Sequence, residues 1–173
     1  MIGLPQIIAL LVAVQRLGEL AYARRNTRHL VAAGGVEHGA GHYPLIVALH
    51  GGWLVALFAL VPPDAPPNWG LLGGYGLLQL GRLWIIVSLG ARWTTRVIAL
   101  PGAPPVRRGP YGFLRHPNYL VVALEIPLLP LAFGAWQMAL GFGLANLALL
   151  AHRIRVEDRA LAGSRAPWDQ LDR

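Results

Sequence analysis

Long apolar segments separated by polar loops dominate the chain. Five of them are long enough, or nearly long enough, to cross a bilayer as helices, and they cover residues 2–23, 43–61, 69–91, 117–133 and 135–152. The last two are joined at Gly134 with almost no loop, which predicts a tight helical hairpin. The first is followed by no small-residue cleavage site, so we interpret it as a retained helix. The pattern predicts an all-α integral membrane protein with about five transmembrane helices in a single domain, residues 1–173.

Composition supports a membrane protein. Hydrophobic residues make up 55% of the chain and charged residues 13%, whereas about a quarter of the residues in soluble domains are charged. The mean hydropathy is +0.48. The chain has no cysteine, which excludes disulfides and thiol chemistry. The net charge is +7, but the arginines lie between apolar spans, which favours a membrane face and argues against a nucleic-acid partner.

The placement of the arginines predicts the topology. The loops after the first and third spans, together with the C-terminal tail that ends in Arg173, hold 13 of the 15 arginines, and only Arg16 and Arg82 lie within spans. Loops rich in arginine remain in the cytoplasm. We therefore predict five helices with the N-terminus outside and the C-terminus in the cytoplasm.

Charged residues inside the predicted spans need partners. Arg16 and Glu19 are three residues apart on one helix and can pair, which offsets the roughly 2.5 to 3.5 kcal/mol that each charge can cost at a bilayer centre. Arg82 has no acid within reach in its own span, so we expect it to meet Glu19 or Glu125 inside the bundle. Such pairs either stabilise the helix bundle alone or also hold a functional site in place.

Polar residues of the C-terminal half collect at the two ends of the predicted hairpin. The motif Arg-His-Pro-Asn-Tyr at residues 115–119 lies across its start, and Pro117 suits the first turn of a helix. We expect the next three backbone amides to be free and to form an anion site. At the other end, Arg153 and Glu157 share a helix face. They form either an interfacial salt bridge or part of a site near Pro117.

Two polar loops lie beside these ends. The longest spans residues 92–115, where residues 93–98 have strand character and residues 106–108 return, which predicts an irregular hairpin over the site. The loop after the first span contains Glu37, His38 and His42. Together with His50 they could supply metal ligands, but the surrounding glycines argue against a fixed geometry, and we predict no metal site.

The two ends of the hairpin resemble the signature of a known family. Arg-His-Pro-Asn-Tyr at 115–119, followed by Arg153-x-x-x-Glu157-Asp158-x-x-Leu161, is similar to the isoprenylcysteine carboxyl methyltransferase (ICMT) family of integral membrane enzymes. Many members have glycine two residues after the tyrosine, where this chain has Val121. The N-terminal half resembles a bacterial branch that includes O-methyltransferases of phenolic lipids and alkylpyrones, through Arg16-x-x-Glu19, Gly34-Gly35-Val36-Glu37 and Gly41-His42-Tyr43-Pro44. The branch implies the bacterial inner membrane.

The resemblance implies S-adenosyl-L-methionine as the cofactor, bound on the cytoplasmic side by residues 92–173. The residues expected to bind it are Arg115, His116, Pro117, Tyr119, Arg153 and Glu157. The methyl acceptor is expected to be an oxygen of a lipophilic small molecule that arrives from the membrane lipid. A carboxylate acceptor needs no base, whereas a phenol benefits from one, and the candidate bases are Glu125, His42 and His50.

Three other functions stay open. Phospholipid N-methyltransferases share much of the C-terminal signature and act on an amine. NADPH-dependent membrane reductases have a similar helical architecture, but Gly74-x-Gly76 is followed by Gln79 where a dinucleotide fingerprint has its third glycine. A membrane protein without enzymatic activity is the third. The sequence predicts no oligomeric state.

Overall fold

The computed structural model describes residues 2–104 and 106–165, so Arg173 of the predicted cytoplasmic tail lies outside the described residues. The long helices are α1 (Leu4–Ala32), α2 (Tyr43–Leu60), α3 (Trp69–Leu89), α4 (Pro117–Leu131) and α5 (Trp136–Arg165). Two short strands, β1 (Val36–His38) and β2 (Val97–Ala99), lie in the loops after α1 and α3. Single turns of 3₁₀ helix cover Ala40–His42, Gly90–Arg92 and Gly109–Gly112.

The predicted all-α membrane fold is confirmed. Among the residues that the structure describes, three helical segments are long and apolar enough to cross a membrane, namely Leu4–Ala32, Ala40–Leu60 and Trp69–Arg92. Helix α4 is apolar but has only 15 residues, and it packs along α5 in the predicted hairpin. Gly134 has a φ of +74°, a value that glycine adopts without strain, and this allows the sharp turn between them.

Helices α1 and α5 extend beyond the apolar segments that predict them. Helix α1 continues for nine residues past residue 23, because residues 24–32 contain no glycine or proline. Asn26 lies on this extension, is buried, and donates hydrogen bonds to the carbonyl oxygens of Gly90 and Trp93. The extension therefore fixes the start of the long loop that follows α3.

The core lies where α1, α2, α4 and α5 meet. Trp53 and Leu57 of α2 pack in one cluster with Ile126 and Leu129 of α4, and all four are fully buried. Other large apolar residues point outward; Leu77 of α3 is 70% exposed. An apolar exterior around an apolar core is expected where lipid replaces water as the solvent.

The two strands form a small sheet at one end of the bundle. β1 pairs antiparallel with β2, and Glu37 lies opposite Ile98. The predicted hairpin of residues 93–98 with residues 106–108 is therefore wrong, because β2 pairs with β1 in the loop after α1 and residues 106–108 form no strand. A salt bridge of 2.8 Å joins Arg96 to Glu37 and holds the two loops together.

The opposite end of the bundle is closed by hydrogen bonds that involve backbone groups of its loops and helix ends. The amide of Asn68 donates to Ala132 O at 2.8 Å, and its side chain accepts from the amide of Leu71 in the first turn of α3. Gln6, near the start of α1, donates to Val61 O at the end of α2 at 2.8 Å. The described loops rich in arginine, those after α1 and α3, lie at the other end of the bundle, because they contain the two strands of the β-sheet.

Candidate functional site

A polar cavity of about 150 Å³ lies beneath the β-sheet, between the end of α3, the start of α4 and the end of α5. Four of the six residues predicted to bind a cofactor line it: His116, Tyr119, Arg153 and Glu157. Arg92, Arg96, Tyr111 and Asn118 also line it. The fold thus brings the two ends of the hairpin together with the long loop, as the sequence predicts.

The hydroxyl of Tyr119 joins the two charged residues of α5. It donates a hydrogen bond to Glu157 and accepts one from Arg153 Nε at 2.9 Å. Arg153 Nη2 donates to Thr95 O at 2.7 Å. The direct Arg153–Glu157 salt bridge that the spacing allows is not formed, because the phenol of Tyr119 lies between the two groups. Helix α4, helix α5 and the loop after α3 are therefore held together at one point of the cavity wall.

His116 lies between two carboxylates. Its Nε2 is 3.2 Å from Asp158 Oδ1, its Nδ1 is 3.8 Å from Glu157 Oε1, and its ring stacks on Tyr119 with 5.4 Å between centroids. Arg115 also pairs with Asp158, at 3.1 Å, but its side chain is 68% exposed. Neither Arg115 nor the buried Pro117 is among the residues that line the cavity. Pro117 begins α4 and Arg115 binds Asp158 of α5, so both lie next to His116 without lining the cavity.

The start of α4 offers fewer free amides than the sequence suggests. The amides of Tyr119 and Leu120 donate to His116 O at 3.2 and 3.3 Å. The expectation that these amides and that of Asn118 are all free is therefore wrong for two of the three. The carbonyl of a residue at the N-cap position accepts such bonds in many helices. An anion in the cavity would therefore bind to arginine side chains and not to the backbone amides at the start of α4.

Two arginines in the loop after α3 add positive charge to the polar cavity, and no sequence motif predicted them as site residues. Arg92 and Arg96 line the polar cavity beside Arg153, and Arg96 also lies over the ring of Tyr43 at 4.6 Å. Tyr111 lies at the same wall, and burial, with a smaller contribution from the Glu157 carboxylate, raises its pKa. It therefore remains a neutral hydrogen-bond donor at neutral pH. The length and polarity of this loop were the only sequence signals for these residues.

An apolar cavity of about 340 Å³ adjoins the polar one and is bounded by α1, α2, α4 and α5. The two cavities share a wall made of Trp93, Thr94, Asn118, Tyr119 and Arg153. Val121, where the sequence departs from the family signature that it resembles, is buried with Ala23 and Ile85 and lies among the lining residues of neither cavity. Its side chain therefore does not narrow the site.

The three candidate bases occupy different places. His50 lines the apolar cavity, and its Nδ1 is 2.9 Å from Ile46 O. His42 lies outside the lining of both cavities, with its ring edge-on to that of His152 at 5.2 Å. Glu125 is fully buried and likewise lines neither cavity. Of the three, only His50 is placed to touch a molecule in the apolar cavity.

Glu125 belongs to a buried charge network, which comprises Arg16, Glu19, Arg82 and Glu125. Arg82 binds Glu19 at 2.6 Å and Glu125 at 3.2 Å, which confirms both expected partners. Arg16 binds Glu19 at 2.9 Å, as predicted, and Glu125 at 2.8 Å. The network carries equal numbers of positive and negative groups, and three of its members border the apolar cavity.

Metal chemistry receives no support from the geometry. Within the part of the chain that the structure describes, no three His, Asp or Glu side chains are grouped so that they could hold a metal ion. His38, one of the four residues weighed as ligands, lies instead in β1 opposite Val97. The site is therefore built from arginine, tyrosine, histidine and carboxylate groups.

Comparison with known proteins identifies the family. The model of the isoprenylcysteine carboxyl methyltransferase (ICMT) family matches residues 72–163, which include most of α3, the shared cavity wall and the α4–α5 hairpin. The chain belongs to the ICMT family. It is also 40% identical to the uncharacterized protein YpbQ of Bacillus subtilis (strain 168) over 159 residues, which cover 90% of this chain and 94% of that protein. No solved structure matches the chain.

Membership of the ICMT family implies a membrane methyltransferase. The match includes every residue predicted to bind the cofactor and begins within α3, so α1, α2 and β1 lie outside it. Helices α1 and α2 form much of the apolar cavity, including the wall that carries His50. The family match therefore covers the residues that line the polar cavity, whereas the α1 and α2 residues of the apolar cavity lie outside it.

Proposed function

We propose that this protein is an S-adenosylmethionine-dependent O-methyltransferase that acts on a lipophilic acceptor in the bacterial inner membrane. The observation that carries the proposal is a pair of cavities of opposite character, one polar and one apolar, which share the wall formed by Tyr119 and Arg153. A polar cofactor and an apolar acceptor can meet only at such a wall. The cavity end of the bundle then faces the cytoplasm, because it carries the arginine-rich loops.

The chemistry of the polar cavity fits S-adenosylmethionine. Arg92 and Arg96 offer donors to the carboxylate of the methionine part, and Glu157 can accept hydrogen bonds from ammonium or ribose hydroxyl groups. His116 and Tyr111 add flat side chains to the same cavity. S-adenosylmethionine supplies, when bound, an electrophilic methyl group on its sulfonium. The protein has to hold that group at the wall shared by the two cavities.

Arg153 favours an oxygen acceptor. Its Nε and Nη2 are engaged by Tyr119 and Thr95, and among the described residues Nη1 has no hydrogen-bond partner. Because Arg153 lines both cavities, its charge stabilises an anionic oxygen at the wall, whether carboxylate, phenolate or enolate. A phospholipid amine, which is a cation before it is methylated, would be repelled. The same charge lowers the pKa of a phenol held there, which reduces its need for a base.

Positioning is the main contribution expected of the protein. Transfer of a methyl group from a sulfonium is an in-line displacement, so its rate depends on alignment of the two reactants and exclusion of water. Tyr119, held from both sides by Arg153 and Glu157, provides a rigid point between the cavities. The resemblance of the N-terminal half to the bacterial branch supports a phenolic or pyrone lipid as the acceptor.

Isothermal titration of the detergent-purified protein with S-adenosylhomocysteine tests the proposal. We expect micromolar binding that weakens about 10- to 100-fold in Glu157→Gln, because one hydrogen bond to a charged group contributes about 1.5 to 3 kcal/mol. The matched control is Asp64→Asn, which removes an exposed carboxylate in the loop between α2 and α3, at the other end of the bundle. A second variant and its control are Arg153→Gln, at a buried position, and Arg155→Gln, at an exposed position on the same helix.

The outcomes separate the alternatives. Binding that weakens as expected in Glu157→Gln and is unchanged in Asp64→Asn supports the methyltransferase. Equal binding by both variants contradicts the assignment of the polar cavity. A parallel titration with NADPH covers the reductases, and binding of NADPH without S-adenosylhomocysteine would move the protein to that class.

A further inference from the structure

The glycine-rich segment 34–39, which contains β1, reaches one of the arginines of the polar cavity. The two carboxylate oxygens of Glu37 accept hydrogen bonds from Arg96 Nη1 at 2.8 and 2.9 Å. Arg96 lines the polar cavity, whereas Glu37 is among the lining residues of neither cavity. Glu37 therefore holds Arg96 from outside the cavity and does not compete with a ligand inside it.

A second contact limits the orientation of the same guanidinium group. Arg96 Cζ lies 4.6 Å from the centre of the Tyr43 ring, and a cation over the face of an aromatic ring is attracted to it. Tyr43 Oη is in turn 3.1 Å from Thr95 Oγ1, which fixes the ring next to the loop after α3. Glu37 and Tyr43, from the two ends of the loop after α1, thus hold one side chain.

The position of Glu37 depends on a close approach that only glycine permits. A Cβ added to Gly35 would lie 2.7 Å from Leu30 O and 2.9 Å from Ile98 Cγ2. Any other residue there would push β1 away from the end of α1 and from β2. Because Gly35 allows the contact, Glu37 lies opposite Ile98, two residues from the arginine that it binds.

The contacts with Glu37 leave one edge of the Arg96 guanidinium group available. Both hydrogen bonds to Glu37 come from Nη1, and among the described residues Nε and Nη2 donate to no protein group. Nε and Nη2 form one edge of the planar group and can bind both oxygens of a carboxylate. Arg92, the other arginine of this loop in the cavity, is exposed and donates to Pro104 O of its own loop. Arg96 is therefore the arginine that a second segment of the chain holds in place.

We infer that Glu37 and Tyr43 are positioning residues for the cofactor, because they hold Arg96 where its Nε–Nη2 edge can bind the carboxylate of the amino-acid part of S-adenosylmethionine. The inference rests on the proposed function and adds to it a role for a segment outside residues 72–163, which the family model matches. Neither positioning residue touches the cofactor. A long side chain that is ordered only when a ligand binds weakens affinity, and these contacts order Arg96 beforehand.

The charge of Glu37 has the opposite effect on affinity. A carboxylate beside Arg96 lowers the positive potential at the cavity wall, so loss of its charge alone would strengthen the binding of an anion. Loss of its positioning contact would weaken it. The side chains of Arg96 and Glu37 are 40% and 25% exposed, so solvent screens the charge effect. The sign of the change in affinity therefore separates positioning from simple electrostatics.

Two ligands test the inference by calorimetry with the detergent-purified protein. S-adenosylhomocysteine carries the amino-acid carboxylate, whereas 5′-methylthioadenosine has the same adenosine and thioether without it. Arg96→Gln should weaken S-adenosylhomocysteine about tenfold or more, since it removes a charged donor. Glu37→Leu removes the acceptor at similar size and should weaken it about three- to tenfold, the cost of ordering one long side chain on binding. Both variants should change the affinity for methylthioadenosine by no more than about twofold.

A double-mutant cycle shows whether Glu37 acts through Arg96. When Arg96→Gln is already present, addition of Glu37→Leu should change the affinity for S-adenosylhomocysteine by no more than about twofold. A merely structural role would weaken both ligands and would persist in that background. The matched control is His38→Leu, which replaces the next residue of β1, whose side chain points to the other face of the strand. It should leave both affinities unchanged.

Further variants keep the test decisive if Glu37→Leu does not fold. Glu37→Gln keeps the size of the side chain and one acceptor oxygen, so it should weaken S-adenosylhomocysteine in the same direction by a smaller factor. Tyr43→Leu removes the ring beside Arg96 and should also weaken this ligand selectively, whereas Tyr43→Phe keeps the ring and should have a smaller effect. If the wild type binds methylthioadenosine too weakly to measure, the double-mutant cycle with S-adenosylhomocysteine decides by itself.

Each result has a definite meaning. Unchanged or tighter binding of S-adenosylhomocysteine by the Glu37 variants overturns the positioning role, as do equal weakening of both ligands and additive effects in the cycle. Wild-type affinity in Arg96→Gln also overturns it, because the carboxylate is then not bound at Arg96, and leaves the methyltransferase assignment intact. Absence of S-adenosylhomocysteine binding by the wild type contradicts the proposed function itself.

Discussion

Replacement of Glu125 by glutamine tests whether the buried charge network supports the bundle or the site. The side chain keeps its size and loses its charge. Glu125 is fully buried and accepts from Arg16 at 2.8 Å, Arg82 at 3.2 Å and Gln79 at 3.2 Å. Removal of one partner from a buried ion pair costs about 3 to 5 kcal/mol, because the opposite charge remains without compensation. Two arginines would then share the single carboxylate of Glu19.

The expected result is a large loss of thermal stability without loss of cofactor affinity. In a chain of this size, 1 kcal/mol changes Tm by about 2 to 4 °C, so Glu125→Gln should lower Tm by roughly 6 to 20 °C. Circular dichroism in detergent micelles measures the midpoint. Below it, S-adenosylhomocysteine should bind as in the wild type, since Glu125 lines neither cavity.

Glu37→Gln is the matched control, because it removes the same kind of group from a partly exposed pair. Arg96 and Glu37 are 2.8 Å apart, with side chains 40% and 25% exposed. Such a pair contributes up to about 1 kcal/mol, so Tm should fall by at most about 4 °C. Equal shifts in the two variants would refute the argument that burial makes the network stabilising. Cofactor affinity that falls with Glu125→Gln would assign the network to the site.

Three further predictions concern the site and the topology. Tyr119→Phe should weaken binding of S-adenosylhomocysteine about tenfold by calorimetry, since it removes the hydroxyl between two charged groups. The control Tyr22→Phe, at an exposed position of α1, should leave the affinity unchanged. Gly109→Ala should lower Tm, because the residue has a φ of +58° and an added Cβ would collide with Ser88; an unchanged Tm would contradict this packing. The chain has no cysteine, so an impermeant thiol reagent on intact cells should label Asp64→Cys and not Phe113→Cys; the reverse pattern would invert the proposed orientation.

Hydrophobic patterning predicted most of the fold because a bilayer requires long apolar helices whose backbone groups pair within each segment. The starts of α2, α3 and α4 fall at the predicted residues 43, 69 and 117. The ends of α1 and α5 did not follow from the pattern. Beyond the bilayer a helix needs no apolar sequence, so its length there depends on contacts such as those of Asn26 with the loop after α3.

Sequence alone predicted an all-α membrane protein, a partner for Arg82 at Glu19 or Glu125, and, through the resemblance of its motifs, membership of the ICMT family. Apolar patterning and the cost of buried charge are sufficient for the first two conclusions, whereas the family follows from the motifs at the two ends of the hairpin. Only the tertiary structure decided that β1 covers β2, that Tyr119 separates Arg153 from Glu157, and that two cavities share a wall. Those features depend on contacts between residues far apart in the chain, which helix periodicity does not encode.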